Sequence, residues 1–135
     1  MKWIISTLLL GVHALGVYLY QEKPLEQSIA DGAEIYQDFC LQCHGSKGEG
    51  VAGAFPPLAQ SDYLKNELEA SIRGIKYGIK GPITVNGVKY DGVMANQGLE
   101  AEEIADVMNY VLNNWGNKSS KQITPQEVVA IKKTK

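Results

Sequence analysis

The residues best suited to chemistry stand together in the run Cys40-Leu41-Gln42-Cys43-His44. Two thiols separated by two residues and followed at once by a histidine are the signature of covalent c-type haem attachment. Each thiol can add to one haem vinyl group, and one helical turn between the thiols matches the separation of the two vinyls. The imidazole that follows is then held under the iron as its proximal ligand. The motif therefore predicts one covalent haem c, attached through Cys40 and Cys43 and ligated by His44.

Three other chemistries use paired cysteines, and the sequence favours none of them. A thioredoxin-like redox pair needs a preceding strand and a βαβ pattern, whereas a helical pattern precedes Cys40. A zinc site needs two more ligands, but the chain has two cysteines, and its other histidine, His13, lies in an apolar leader. A plain structural disulfide leaves the adjacent His44 unexplained.

A haem iron held by histidine on one side commonly takes a second axial ligand from the protein, and methionine is a frequent choice. The chain has three methionines. Met108 falls on the packed face of a predicted helix, so we expect it to be a core residue. Met94 falls in a glycine-containing loop, residues 90–95, which can bring a thioether to the iron from the side opposite His44. We therefore predict Met94 as the sixth ligand, with simple loop packing as the alternative.

Hydrophobic periodicity predicts the helices that position these residues. The three strongest patterns have apolar side chains three or four positions apart, and they cover residues 32–40, 64–76 and 99–115. Asp31 is the expected N-cap of the first helix. Residues 45–57 are rich in glycine and proline, which predicts a loop.

Two local motifs refine this arrangement. Asn86-Gly87 stands between alternating residues, which predicts a short β-hairpin just before the Met94 loop. Thr124 and Glu127 have the spacing of a capping box, which predicts a final short helix. Both motifs act through local backbone geometry, so their positions are defined to within a few residues.

Residues 48–53 match the glycine pattern of dinucleotide-binding loops letter for letter. That pattern binds a nucleotide only when a strand precedes it and a helix follows it, and here the Cys-His motif precedes it. We expect the glycines instead to let the backbone wrap tightly against the porphyrin.

Charge divides the 135-residue chain into parts. Residues 31–116 hold 12 acidic and 6 basic residues, a net charge of −6, whereas residues 117–135 hold five lysines and one glutamate, net +4. Residues 1–20 are an apolar leader with a positive start, either a cleaved signal peptide or a membrane anchor retained over residues 3–20. Residues 21–30 are then a linker, 31–116 the haem domain and 117–135 a basic tail with a short helix. The overall charge of −2 gives no electrostatic case for binding nucleic acid.

The segment from about residue 32 to residue 116 resembles the class I monohaem c-type cytochromes. Gly32, Tyr36 and Cys40 are spaced like the N-terminal helix of that family, in which the glycine permits close crossing by the C-terminal helix. The resemblance implies that Tyr110 is the aromatic partner of Tyr36 at this crossing. It also implies a small all-α cytochrome c fold of four to five helices wrapped around one haem, with the hairpin before the methionine loop.

The run Phe55-Pro56-Pro57-Leu58 is similar to the family's Pro-x-Leu segment after the haem motif. By this match, the Pro56 carbonyl accepts a hydrogen bond from His44 Nδ1, and Leu58 packs on the haem; simple loop stiffening by the prolines is the alternative. The sequence departs from the common pattern after Met94, where proline often follows the ligand methionine and this chain has Ala95.

The resemblance implies one-electron transfer in the bacterial periplasm rather than enzymatic catalysis. Ligation by His44 and Met94 leaves no open iron position for a substrate. Redox proteins are the expected donor and acceptor, and the negative haem domain favours partners with a basic docking patch. Two alternatives stay open: a fixed haem subunit of a membrane or periplasmic oxidoreductase complex, and a haem enzyme or gas sensor with a displaceable sixth ligand.

Overall fold

The computed structural model describes residues 22–134, and the predicted leader lies outside them. Within these residues the chain is mainly helical, which confirms the predicted fold class. The helices are α1 (Leu25–Phe39), α2 (Leu41–His44), α3 (Asp62–Asn66), α4 (Leu68–Tyr77), α5 (Ala101–Val111) and α6 (Pro125–Ala130). The strands are β1 (Ile79–Lys80), β2 (Ile83–Val85), β3 (Val88–Tyr90) and β4 (Val93–Met94). Over residues 22–134, no helix combines the length and the apolar character needed to cross a membrane.

Helices α1 and α5 cross in close contact at Gly32. A Cβ atom added there would lie 2.0 Å from the carbonyl oxygen of Asp106, so only glycine fits. One turn later the ring of Tyr36 packs against those of Tyr110 and Trp115, at centroid distances of 5.4 and 5.0 Å. The predicted glycine crossing and its aromatic partner are therefore confirmed, and Trp115 completes a cluster of three rings.

Helix α1 begins earlier than predicted. It starts at Leu25, so Asp31 lies inside the helix and the N-cap prediction at Asp31 is wrong. Residues 25–30 of the predicted linker are helical. The Asp31 carboxylate accepts a hydrogen bond from Lys23 Nζ at 2.9 Å instead of capping the backbone. The first turns are polar because their buried Ser28 donates a hydrogen bond to the Asp106 carboxylate on α5, at 2.5 Å. Because this buried contact is polar, the first turns of α1 show no apolar periodicity from which the helix could be predicted.

The basic tail, residues 117–135 of the prediction, packs its described residues into the same core as α5. The side chains of Ile123, Val128 and Ile131 lie in the core cluster with α5. The buried Asn109 amide accepts a hydrogen bond from the Ile123 N–H at 2.7 Å and donates one to the Ile123 carbonyl at 2.9 Å. This pair of bonds positions the tail on α5.

The remaining local predictions have mixed outcomes. The capping box that opens α6 is present, with Thr124 and Glu127 bonded reciprocally. The hairpin is present as β2 and β3, and its turn residues Asn86 and Gly87 both have positive φ. The helix predicted over residues 64–76 is instead two helices, α3 and α4, because the backbone breaks at Glu67 (φ −122°, ψ 46°).

Candidate haem site

A cavity of about 360 Å³ brings together every site residue predicted from the sequence. Its wall includes Cys40, Cys43, His44, Pro56, Leu58 and Met94. Most of the remaining wall is apolar, and α4, the hairpin and α5 contribute Ile75, Ile83, Val85, Val107 and Val111. This volume lies within the range of cofactor sites, roughly 300–1,000 Å³.

The single helical turn of α2 presents the Cys-His motif to the cavity. The backbone N–H of His44 donates to the Cys40 carbonyl at 2.9 Å, so one turn brings both thiols and the imidazole to the same wall. Gly45 ends this turn with φ 80°, and its carbonyl accepts a hydrogen bond from the Tyr36 hydroxyl at 2.7 Å. The aromatic cluster at the helix crossing therefore also fixes the end of the motif.

The imidazole of His44 is oriented by the contact that the resemblance implied. Its Nδ1 lies 2.9 Å from the Pro56 carbonyl oxygen. A carbonyl can only accept a hydrogen bond, so Nδ1 carries the proton and Nε2 keeps a free lone pair. Burial lowers the pKa of His44, although the bond to Pro56 partly opposes this shift, so the site favours the neutral ring. A neutral imidazole with one nitrogen fixed by a carbonyl is an oriented metal ligand.

The two cysteines present free thiols to the cavity. Neither cysteine is in a disulfide, and both are partly buried. Burial raises the pKa of the Cys40 thiol to about 11, and the neighbouring Cys43 adds to the shift. Because neither is in a disulfide, both sulfur atoms are available for covalent attachment at the cavity wall.

Met94 is held by backbone pairing, which corrects its predicted place in a flexible loop. It lies in β4, opposite Ile79 of β1, and is half-buried. A Cβ atom added at Gly78 would lie 2.8 Å from the Met94 carbonyl oxygen, so the chain passes close by at this point. Strands of two residues leave no alternating pattern, which is why the sequence did not reveal them. Met108 also borders the cavity, but it is almost fully buried in the α5 core, as expected.

The glycine loop, residues 48–53, does not wrap against the cavity, and that expectation is wrong. A Cβ atom on Gly48 would lie 2.6 Å from the Trp115 ring, and one on Gly50 would lie 2.4 Å from the Phe55 carbonyl oxygen. The Gly48 carbonyl also accepts a hydrogen bond from the Leu58 N–H at 2.7 Å. The glycines therefore let the loop fold back on itself, which brings its later residues to the cavity.

Sequence reasoning missed the polar part of the wall. Tyr63 of α3 and Tyr90 of β3 both border the cavity, and Tyr90 is only 7% exposed. Reciprocal hydrogen bonds join their two elements: the Asp62 N–H donates to Asn86 Oδ1 at 2.9 Å, and the Asn86 N–H donates to Asp62 Oδ1 at 2.7 Å. No spacing in the sequence links these residues. An apolar cavity with a few polar groups fits a porphyrin, which has an apolar ring and two carboxylates.

Comparison with known proteins agrees with this geometry. The sequence profile of the Cytochrome c family matches residues 29–115. Cytochrome c-552 of Thermus thermophilus is 39% identical over 126 residues, which cover 77% of this chain and 95% of that protein.

Two further relatives are parts of larger proteins. The cytochrome c subunit of the quinone alcohol dehydrogenase of Gluconacetobacter polyoxogenes is 30% identical over 117 residues, covering 76% of this chain and 22% of that subunit. The Cbb3-type cytochrome c oxidase subunit CcoP of Rhodobacter capsulatus is 34% identical over 89 residues, covering 63% of this chain and 30% of that subunit. The profile match, the identity to cytochrome c-552 and the cavity agree, and the chain belongs to the cytochrome c family of electron-transfer proteins, which bind haem c covalently.

Proposed function

We propose that this chain is a one-electron carrier whose single haem c is attached through Cys40 and Cys43 and ligated by His44 and Met94. The observation that carries the proposal is that all four side chains border the same apolar cavity. When bound, the haem supplies an iron that alternates between its ferric and ferrous states.

The chain's own residues suit a carrier because they hold the two ligand side chains without requiring movement. Pro56 fixes the imidazole of His44, and the pairing of β4 with β1 fixes the backbone of Met94. A thioether ligand favours the ferrous state, and the apolar wall excludes water, so both raise the reduction potential. Two permanent protein ligands leave no position for a substrate, so we infer that the protein is not itself an enzyme.

The redox partner would approach where the cavity opens to solvent. Phe55 and Val93 border the cavity and are 38% and 72% exposed. The backbones of Ala54 and Gly92 meet beside them, since a Cβ on Gly92 would lie 3.7 Å from the Ala54 carbonyl oxygen. This apolar rim lies in a domain with a net charge of −6, so partners with an apolar contact area and surrounding basic residues fit it best.

Redox titration and carbon monoxide binding test the proposal together. The purified holoprotein should titrate reversibly with a single electron, and the reduced form should bind carbon monoxide hardly at all. Rapid binding by the unmodified protein would show an open iron position and would favour the haem enzyme or gas sensor instead.

We further propose that the protein acts in the periplasm, with residues 1–20 as the export signal or, if retained, as the inner-membrane anchor. A retained anchor requires the native protein to begin at Met1 and to stay in the membrane pellet through a high-salt wash. A soluble protein that begins near Val17 would instead show cleavage.

A fixed subunit of an oxidoreductase complex is the second candidate. It is favoured by the relatives whose names describe them as subunits of a dehydrogenase and an oxidase. Stable co-purification of the native protein with one enzyme from gently solubilised membranes would support this candidate. Recovery as a free monomer would support the mobile carrier.

A further inference from the structure

Four cationic residues lie on two segments that contact each other, α4 and residues 131–133. They are Arg73, Lys76, Lys132 and Lys133, and we refer to them as the basic surface. Arg73 Nε donates a hydrogen bond to the Lys132 carbonyl at 3.0 Å. Lys76 Nζ donates to the Ile131 carbonyl at 2.9 Å. Lys132 and Lys133 are exposed.

The charge of this surface is only partly neutralised. Arg73 forms an ion pair with Glu69 one turn earlier in α4. Lys76 binds the carbonyl groups at the end of α6, where the helix dipole is negative. Lys132 and Lys133 form no ion pair with any residue in the range 22–134. The surface therefore has excess positive charge in a protein whose central domain is net negative.

The segment that bears the two free lysines has a fixed backbone. Val128 and Ile131 are buried in the core, and the Tyr77 hydroxyl donates to the Ile131 carbonyl at 3.2 Å. Val129, between them in sequence, has a side chain that is 61% exposed, and its carbonyl accepts a hydrogen bond from Lys76 Nζ at 3.2 Å. The basic surface is thus an ordered feature, and little backbone entropy would be lost when it binds a partner.

The basic surface faces away from the haem cavity. Ser71 and Ile75 of α4 both border the cavity, and their spacing of four residues places them on one face of the helix. Arg73 and Lys76 fall on the other side of α4, where they contact the tail. A partner bound to the basic surface would therefore leave the cavity opening free.

We propose that the basic surface docks this protein onto the anionic phospholipid headgroups of a membrane. Lysine ammonium groups attract phosphates without needing a fixed geometry, and an exposed valine on the same segment can enter the interfacial region.

The rate of lysine acetylation, measured by mass spectrometry, tests this docking. A soluble holoprotein is mixed with lipid vesicles, and an anchored holoprotein is reconstituted into them. With vesicles that contain phosphatidylglycerol, Lys132 and Lys133 should be acetylated several-fold more slowly than with phosphatidylcholine alone. High salt should remove the difference, because it screens exposed charges. The exposed Lys47 and Lys89 serve as internal references and should keep their rates.

Two matched variants sharpen the test without altering the lysines. Val129→Glu adds a carboxylate to the basic surface and should abolish the protection. Val88→Glu makes the same change at an exposed valine on the hairpin, and it should leave the protection of Lys132 and Lys133 from acetylation unchanged.

Three results would overturn the proposal. Protection that persists in Val129→Glu would place the contact elsewhere, and equal slowing of every lysine would show non-specific adsorption. Protection by polyglutamate but not by phosphatidylglycerol vesicles would assign the surface to an acidic protein.

Discussion

At the scale of single residues, the two predicted iron ligands are held in different ways. His44 is oriented through its side chain, by the hydrogen bond from Nδ1 to Pro56. Met94 is oriented through its main chain, by its pairing with Ile79. This pairing can supply the rigidity that a proline after the methionine often gives, so Ala95 at that place is tolerated.

Replacement of Met94 by alanine tests the sixth ligand. We expect Met94→Ala to abolish the weak near-infrared sulfur-to-iron band of the oxidised protein, because the thioether is removed. The variant should also have a lower reduction potential, since a ligand that favours the ferrous state is lost. Its reduced form should bind carbon monoxide readily, as measured by absorbance.

Met108→Leu is the control for that experiment. It exchanges one packed apolar side chain for another of similar volume, a change that usually costs less than about 1.5 kcal/mol. The near-infrared band should therefore stay unchanged. If Met108→Leu removed the band and Met94→Ala kept it, the ligand assignment would be wrong.

At the scale of elements, the crossing of α1 and α5 depends on one position. Gly32→Ala places a methyl group against the Asp106 carbonyl, and neither helix backbone can yield easily. We expect it to destabilise the holoprotein by about 1–3 kcal/mol or more. Elsewhere in a helix the same substitution is usually favourable, by up to about 1 kcal/mol. Urea unfolding followed by circular dichroism measures the change.

Gly74→Ala in α4 is the matched comparison. The nearest atoms to its added Cβ belong to the flexible side chain of Ile79 rather than to a backbone. Its cost should therefore be clearly smaller than that of Gly32→Ala. Equal costs would mean that the helix crossing is not specially constrained.

The capping box of α6 makes part of the stability depend on pH. Lys121 and the Thr124 groups lower the pKa of Glu127 below its ordinary value. A carboxylate with a lowered pKa stabilises the fold above its unfolded-state pKa, and this contribution is lost as the pH falls through the lower, folded-state value. Glu127→Gln should therefore reduce the loss of stability in acid, as measured by urea unfolding at several pH values. An unchanged pH dependence would contradict this explanation.

Sequence patterns predicted the elements that bury an apolar stripe or use a local backbone motif. The α5 helix, the Asn86-Gly87 hairpin and the Thr124 capping box are of this kind. The start of α1 could not be predicted from apolar periodicity, because a polar side chain occupies its buried face. Ser28 donates a hydrogen bond to Asp106 and accepts one from Asn109. Pairing between strands of two residues is equally invisible in the sequence, since it depends on where distant segments meet.

At the scale of the whole molecule, the site residues were predictable but the polar wall was not. Cys40, Cys43 and His44 are adjacent in sequence, so their chemistry is evident from spacing alone. Tyr63 and Tyr90 reach the cavity only because two separate elements are joined through Asp62 and its partner in the hairpin turn. Contacts of that kind are a property of the completed fold.

The haem is expected to be part of the hydrophobic core of the whole molecule. The domain is small, and the cavity is bordered by core side chains of α3 and α5, so without the porphyrin much apolar surface would face water. We expect the holoprotein to retain haem through acid-acetone extraction. Cys40→Ala/Cys43→Ala should release it and should show a broad, weakly cooperative unfolding transition. Extractable haem in the normally matured protein would contradict covalent attachment by these residues.

The place of the tail in the core also sets when the chain can fold during its synthesis. Ser28 meets Asp106 across 78 residues, and Gln122 meets Lys23 across 99 residues. Closing such long loops is unfavourable until the packing that offsets its entropic cost can form, and that packing includes Val128 and Ile131. The core therefore cannot close until residues 128–131 have emerged from the ribosome. A nascent chain that already holds Cys40 and Cys43 but not yet residues 128–131 therefore leaves both thiols accessible from solvent.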